Sequence, residues 1–126
     1  PFIASFIGSM NFIPATIDSS KKVKCNNIEI NCDTSSFTEN DSVQLAVRPE
    51  EIYFKQENQD DNVISATIKE IEFLGSFQRV YFEAKSFSNE LIIVDVPSAN
   101  ARKIKLIIDE EINLYFSKQD ARIYST

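Results

Sequence analysis

Apolar residues in this chain recur at every second position, in runs too short for helices and too regular for loops. Ile13, Ala15 and Ile17 share one face of Asn11 to Asp18. Val43, Leu45 and Val47 do the same over Val43 to Arg48, and Val80, Phe82 and Ala84 over Arg79 to Ala84. A period of two is that of a strand with one face buried. No stretch holds the 3.6-residue period of an amphipathic helix, so the chain is read as all-β, of sandwich or barrel type.

The remaining runs fill in this pattern. Cys25 to Asp33 is read as one strand with Ile28, Ile30 and Cys32 on one face, although Asn26-Asn27 favours turn geometry. Pro49 has no amide hydrogen to donate and must end the third strand or lie at an edge. In the long run from Val63, the residues Ile64, Ala66 and Ile68 are in phase, whereas Ile71 and Phe73 continue on the other parity. A β-bulge near Lys69-Glu70 restores the phase. Glu90 to Val96 is apolar on both parities, with Ile92, Val94 and Val96 on one face and Leu91 and Ile93 on the other. Ile112, Leu114 and Phe116 mark a further strand, and Ala121 to Tyr124 a last one. Between them, Ala99 to Glu111 is either a short helix capped by Ser98 or a loop leading to a strand over Lys105-Leu-Ile-Ile108. The polar run 55–62 reads as a surface linker between a first half, 1–54, and a second, 63–126. At 126 residues the chain is one domain by length, or two small interlocked halves.

Composition narrows the chemistry. The chain has no histidine, two cysteines and only two glycines. A phosphate-cradling loop of the G-x-x-x-x-G-K-[ST] kind is therefore absent, as is a His-based general base or hydrolase triad. Cys25 and Cys32 do not make a zinc site without further ligands, and they read as reduced thiols of a cytosolic protein. The adjacent carboxylates Glu50-Glu51, Asp60-Asp61 and Glu110-Glu111 point to opposite faces if they lie on strands, and read as solvated surface. Thirteen basic against nineteen acidic residues give a net charge of −6, the wrong sign for a nucleic-acid surface. No apolar run reaches the roughly 18 residues of a membrane span. Because the chain opens at Pro1 without an initiator Met or a signal-like start, the expectation is a piece of a longer cytoplasmic protein.

Both glycines sit in one repeated phrase, Phe6-Ile-Gly-Ser9 and Phe73-Leu-Gly-Ser76. Each follows an apolar run and precedes an alternating one. Between them lies Val43-Gln-Leu-Ala-Val-Arg-Pro-Glu-Glu51. Taken with Pro1-Phe-Ile-Ala-Ser-Phe-Ile-Gly-Ser-Met-Asn-Phe12, Leu45-Ala-Val-Arg-Pro-Glu50 and the run from Val63 to Gly75, this order resembles one family. It is the C-terminal regulatory region, with its transport-associated OB (TOBE) module, of ATP-binding subunits in ABC importers. The first glycine usual in the third of these motifs is missing. Importers for polyamines, ferric iron or aminoethylphosphonate are the most similar, without separation among the three.

The resemblance implies an OB-like small barrel or barrels built from two interlocked β halves. It implies a non-catalytic accessory domain, with ATP and Mg bound by an ATPase domain upstream of Pro1 and no cofactor, metal or catalytic residue in this stretch. The partners it implies are that ATPase domain, a second copy of the subunit and, through the parent protein, the membrane subunits. They place the chain in the cytoplasm at the inner face of the membrane, with no nucleic acid involved. Phe6, Gly8 and Gly75 read as structural, the glycines letting strands cross closely. Asn11 either caps a turn or bonds to the ATPase domain. Arg48, Pro49 and Glu50 form either a turn whose Arg48 pairs within the domain or a bidentate contact to a partner carboxylate. Outward-facing Leu91 and Ile93 are either buried beneath the first half or meet a second copy. Two other functions stay open: an OB module sensing an oxyanion or other small solute, and a nucleic-acid binder using Phe77, Arg79 and Tyr81.

Overall fold

The structure is a computed structural model that describes residues 10–20, 22–26, 28–87 and 90–126. Alternation along each run becomes two antiparallel sheets. β1 (Asn11–Ile17), β2 (Val23–Cys25), β3 (Ile28–Ile30), β4 (Ser42–Val47) and β9 (Arg122–Ser125) form the first sheet, in the order β3-β2-β1-β4-β9. β5 (Asn62–Phe73), β6 (Phe77–Ala84), β7 (Glu90–Pro97) and β8 (Glu111–Phe116) form the second, in the order β7-β6-β5-β8. β1 alternates between buried and exposed along its whole length. The inward residues of both sheets merge into one core, with Phe82, Phe116, Leu45, Ile64 and Leu114 fully enclosed. The architecture is the all-β, OB-like one expected. β9, from the far end of the chain, pairs with β4 and so completes the first sheet.

Several expected strands take a different form. The run Cys25 to Asp33 is not one strand: it breaks at Asn26, whose φ is 54°, and folds into the β2–β3 hairpin with Cys25 opposite Ile28. Asn can enter the left-handed region because its short polar side chain bonds locally. The bulge is present, with the β5–β6 register shifting between Ile68 and Glu70. It returns Ile71 to the inner side, but Phe73 lies beyond the end of the core and is 76% exposed. The strand over Lys105-Leu-Ile-Ile108 does not form. A four-residue helix, α1 (Ser98–Ala101), follows Pro97, which takes the N-cap position expected of Ser98. Ser98 instead donates its hydroxyl to the Gly75 carbonyl at 2.7 Å and its amide to that of Ser76 at 2.9 Å. With Ser98 committed to the β5–β6 turn, the chain continues as irregular backbone to Asp109, where φ is 71° and the amide bonds to Ile68. Asn62, assigned to the polar linker, is the first residue of β5 and is buried.

Two asparagine side chains join the sheets. Asn11, opening β1, donates its amide to the Ile93 carbonyl at 2.8 Å and accepts the Ile93 amide at 2.7 Å. Asn62, opening β5, treats Asn31 the same way, donating at 3.0 Å and accepting at 2.7 Å. Each carboxamide presents one donor and one acceptor in a plane, so it stands in for the backbone of a missing neighbouring strand. Buried backbone groups left without partners cost about 1–3 kcal/mol each. Asn11→Ala and Asn62→Ala should therefore each lower stability by roughly 1–3 kcal/mol, whereas Leu91→Ala on the exposed face should change it by less than about 0.5 kcal/mol. Urea unfolding followed by circular dichroism checks this, and wild-type stability in either Asn variant would refute the seam role.

Candidate functional site

The Arg48-Pro49-Glu50 motif lies where β4 leaves the sheet. Pro49 is buried and starts a 3-10 turn over Pro49–Glu51. The residue that fastens this turn is Glu51. Its carboxylate accepts the Arg48 amide at 3.2 Å and the Arg122 guanidinium at 3.2 Å, tying the turn to the start of β9. Arg48 does not make the in-domain pair that the motif suggested: its side chain is exposed and forms no ion pair among the described residues. Glu50 is also exposed.

The other sequence candidates divide in the same way. Phe6 and Gly8 lie outside the described residues. Gly75 does not mediate a close crossing, since a Cβ there would meet nothing within 4 Å. Its role is conformational: φ is +83°, in a turn closed by the Leu74 amide donating to the Phe77 carbonyl at 2.9 Å. Asn11 neither caps a turn nor faces outward, because both its amide atoms are engaged by Ile93. Leu91 is not buried beneath the first half; it is 57% exposed, and Ile93 is half-exposed.

What the sequence reading missed is the company these two keep on the outer face of the second sheet. Cross-strand register puts Glu72, Arg79 and Asp95 in one row, Glu70, Tyr81 and Ile93 in the next, and Glu83 beside Leu91 in a third. Arg79 is clamped by Asp95 with two bonds, of 2.8 and 2.9 Å, and lies 5.7 Å from the centre of the Phe77 ring. Tyr81 donates its hydroxyl to Glu72, and that bond pushes the phenol pKa up. Only the bulge at Lys69-Glu70, together with the alternation of β6 and β7, could have aligned these side chains beforehand.

Several concavities are lined in part by polar groups. One, of about 510 Å³, is bordered by Cys32, Ser35, Phe37, Lys118, Arg122 and Ile123. Neither of its cations is free, since Lys118 is bound to Asp60 at 2.8 Å and Arg122 to Glu51. A second, of about 350 Å³, lies between Tyr53, Phe54, Asp95 and Ile104, and a third, of about 590 Å³, over Pro14, Thr16, Lys24 and Ser42. No group of metal-ligating side chains gathers among the described residues. Both cysteines are free. Burial pushes the Cys25 thiol up to about 12, with Cys32 adding to it. Burial and then the neighbouring Asp33 carry Cys32 to about 11.

A family model for the TOBE domain matches residues 45–123. The chain belongs to the TOBE domain family. A curated relative, the Fe(3+) ions import ATP-binding protein FbpC 2 of Rhizobium meliloti (strain 1021), is 24% identical over 135 residues. That match covers 98% of this TOBE chain and 34% of the relative, so the chain spans about a third of the relative's length. Among solved structures, the cytoplasmic molybdate-binding protein ModG, in a form with molybdate bound, superposes with a TM-score of 0.75 at 11% identity. The superposition covers 92% of this chain and 96% of ModG, and it shows that the TOBE domain shares ModG's fold.

Two measurements test the electrostatics of this TOBE domain. With thiol pKa values of about 12 and about 11, Cys25 and Cys32 should react with a thiol reagent at pH 8 far more slowly than a free thiol. Both should react at once on unfolding, and a fast native rate would mean the β2–β3 hairpin is open. The second measurement concerns acid. The Lys22 amide, then the Ser20 hydroxyl, hold the Asp18 carboxyl down to about 2. A depressed carboxylate stabilises the fold above its unfolded pKa, near 4, and that contribution is lost as pH falls through the folded value. Asp33, Asp60 and Asp61 are lowered too, whereas burial raises Asp120 and gives the opposite slope. The thermal midpoint should therefore fall between about pH 4 and pH 2, and fall less in Asp18→Ala.

Proposed function

We propose that this TOBE domain is the accessory, regulatory part of an ATP-binding subunit in an ABC importer, working on the cytoplasmic side of the membrane. The observation that carries this reading is the family match over 45–123, in a chain aligned along 98% of its length with an import ATP-binding protein. The fold supports a non-catalytic role. Some of its ionised groups are committed to internal pairs, Arg79–Asp95 and Arg122–Glu51 among them, and its thiols are held protonated. ATP and Mg2+ would be handled by an ATPase domain of the same polypeptide. The domain's work is then mechanical: a rigid β module that holds its place while the ATPase domains open and close.

A second copy of the subunit is part of the proposal, with the outer face of the first sheet as the contact. There Phe12 and Tyr124 are each 48% exposed, Pro14 lies beside them, Glu51 is neutralised by Arg122, and Glu29 stands opposite Lys24 further along the face. An isologous contact places a patch against itself, so a near-neutral apolar patch suits it. The shared fold with ModG raises a small-solute sensor as the other reading. The cations of the concavity beside β9 are already paired, which leaves an oxyanion without a ready partner there. A nucleic-acid role is not favoured, because Arg79 is locked to Asp95 amid carboxylates.

The coding sequence upstream of Pro1 should specify an ATPase domain with a phosphate-binding loop. In that full-length protein, deleting the TOBE domain should reduce solute uptake and subunit association while ATP hydrolysis by the remainder persists. The 126-residue chain should show no saturable binding of a fluorescent ATP analogue. Undiminished uptake after the deletion, or tight nucleotide binding by the chain alone, would sink the proposal.

A further inference from the structure

We infer that the outer face of β5, β6 and β7 is a docking surface for a Lys/Arg-rich cytoplasmic loop of a membrane-embedded partner, one carrying an apolar side chain. The inference deepens the importer reading and rests on it for the partner's location. The outer face of a solvated antiparallel sheet is ordinarily polar, yet here Leu91 is 57% exposed and Ile93 and the Tyr81 ring flank it. Around this apolar strip stand Glu70, Glu72 and Glu83, none of them ion-paired among the described residues. The one arginine of the face, Arg79, is spent on Asp95. The local field is therefore negative, and although Glu72 accepts the Tyr81 hydroxyl, Glu70 and Glu83 are left to take a cationic partner.

Charge separates the possible occupants. A second copy docked through the same face would bring Glu70, Glu72 and Glu83 against their own images, and like charges across an interface are strongly disfavoured. Anionic lipid would be repelled for the same reason. Cytoplasmic loops of membrane proteins carry an excess of Lys and Arg, which complements this rim. The mode of contact is restricted as well. β7 is an edge strand, but at its middle the Asn11 carboxamide already occupies the Ile93 amide and carbonyl. Strand addition is blocked there, so the partner must bind through side chains: an aliphatic or aromatic residue on Leu91 and Ile93, and cations over the glutamates.

The test titrates the full 126-residue chain, uniformly 15N-labelled, with three synthetic peptides. One combines Lys and Arg with Leu, one replaces its basic residues by Glu, and one replaces its Leu by Ser. The first should shift the amides of Glu70, Tyr81, Glu83, Leu91 and Ile93 and weaken with added salt, while the other two should bind weakly or not at all. Glu70→Gln combined with Glu83→Gln should weaken it roughly threefold to tenfold with the amide spectrum otherwise unchanged, and Leu91→Ser should weaken it independently. Shifts centred on another acidic region, such as the Asp60-Asp61 loop, or indifference to both variants, would overturn the assignment. So would a dimer seen by sedimentation that Leu91→Ser dissolves, because the occupant would then be a second copy. Peptide binding at this face with no ATPase domain encoded upstream would leave the surface intact and remove the importer reading, so the two failures are distinguishable.

Discussion

Two sheets of unequal size can share a core only if the backbone at their shared margins is satisfied, and in this protein two carboxamides do that work. Asn11 and Asn62 each begin a long strand and reach across to the backbone of the other sheet's territory, at Ile93 and Asn31. Both asparagines are themselves buried. Without the clamps, the amides and carbonyls they bond would lose their partners in the fold, and an unmet hydrogen bond is costly. Everything inward of them, from Phe82 to Leu114, depends on the sheets being held face to face.

The parts of this architecture legible in the sequence are those governed by local chemistry. Alternation located β1, β4, β6 and β7 because side-chain direction in a strand is set by the backbone alone. The phase break at Lys69-Glu70 was visible for the same reason. Failures came where long-range partners decide. Ser98 was free to cap a helix until the β5–β6 turn claimed both its amide and its hydroxyl. Lys105 to Ile108 has strand-forming residues but pairs with no strand, and the chain is held just beyond it where the Asp109 amide bonds to Ile68. Asn62 looked like linker because a buried asparagine and a solvated one are the same letter. The outer acidic face was unreadable for a related reason: Glu70, Glu83 and Leu91 are remote in sequence and meet only through register.

Electrostatics divides the domain into a settled part and an open part. Glu51 with Arg122, Asp60 with Lys118, and Asp95 with Arg79 are matched internally, and these pairs sit beside two of the concavities. Exposed pairs of this kind add little stability, but they fix where unmatched charge remains. Among the unmatched carboxylates, Glu70 and Glu83 stand on the β5–β6–β7 face, next to exposed aliphatic surface. A module with a neutralised interior rim and one charged, partly apolar exterior face is suited to contact with macromolecules more than to holding a small ion.

The return of β9 to the first sheet has a consequence for how the molecule is made. β4 is synthesised well before its outer neighbour, Arg122–Ser125. While translation is in progress, the Ser42–Val47 strand has an unpaired side, and the hydrophobic edge around Leu45 has no lid. Contacts of this sequence separation make folding slow and leave strand edges open to wrong partners in the meantime. Within this domain, then, β4 stays open along one side until the Arg122–Ser125 segment is available to pair with it.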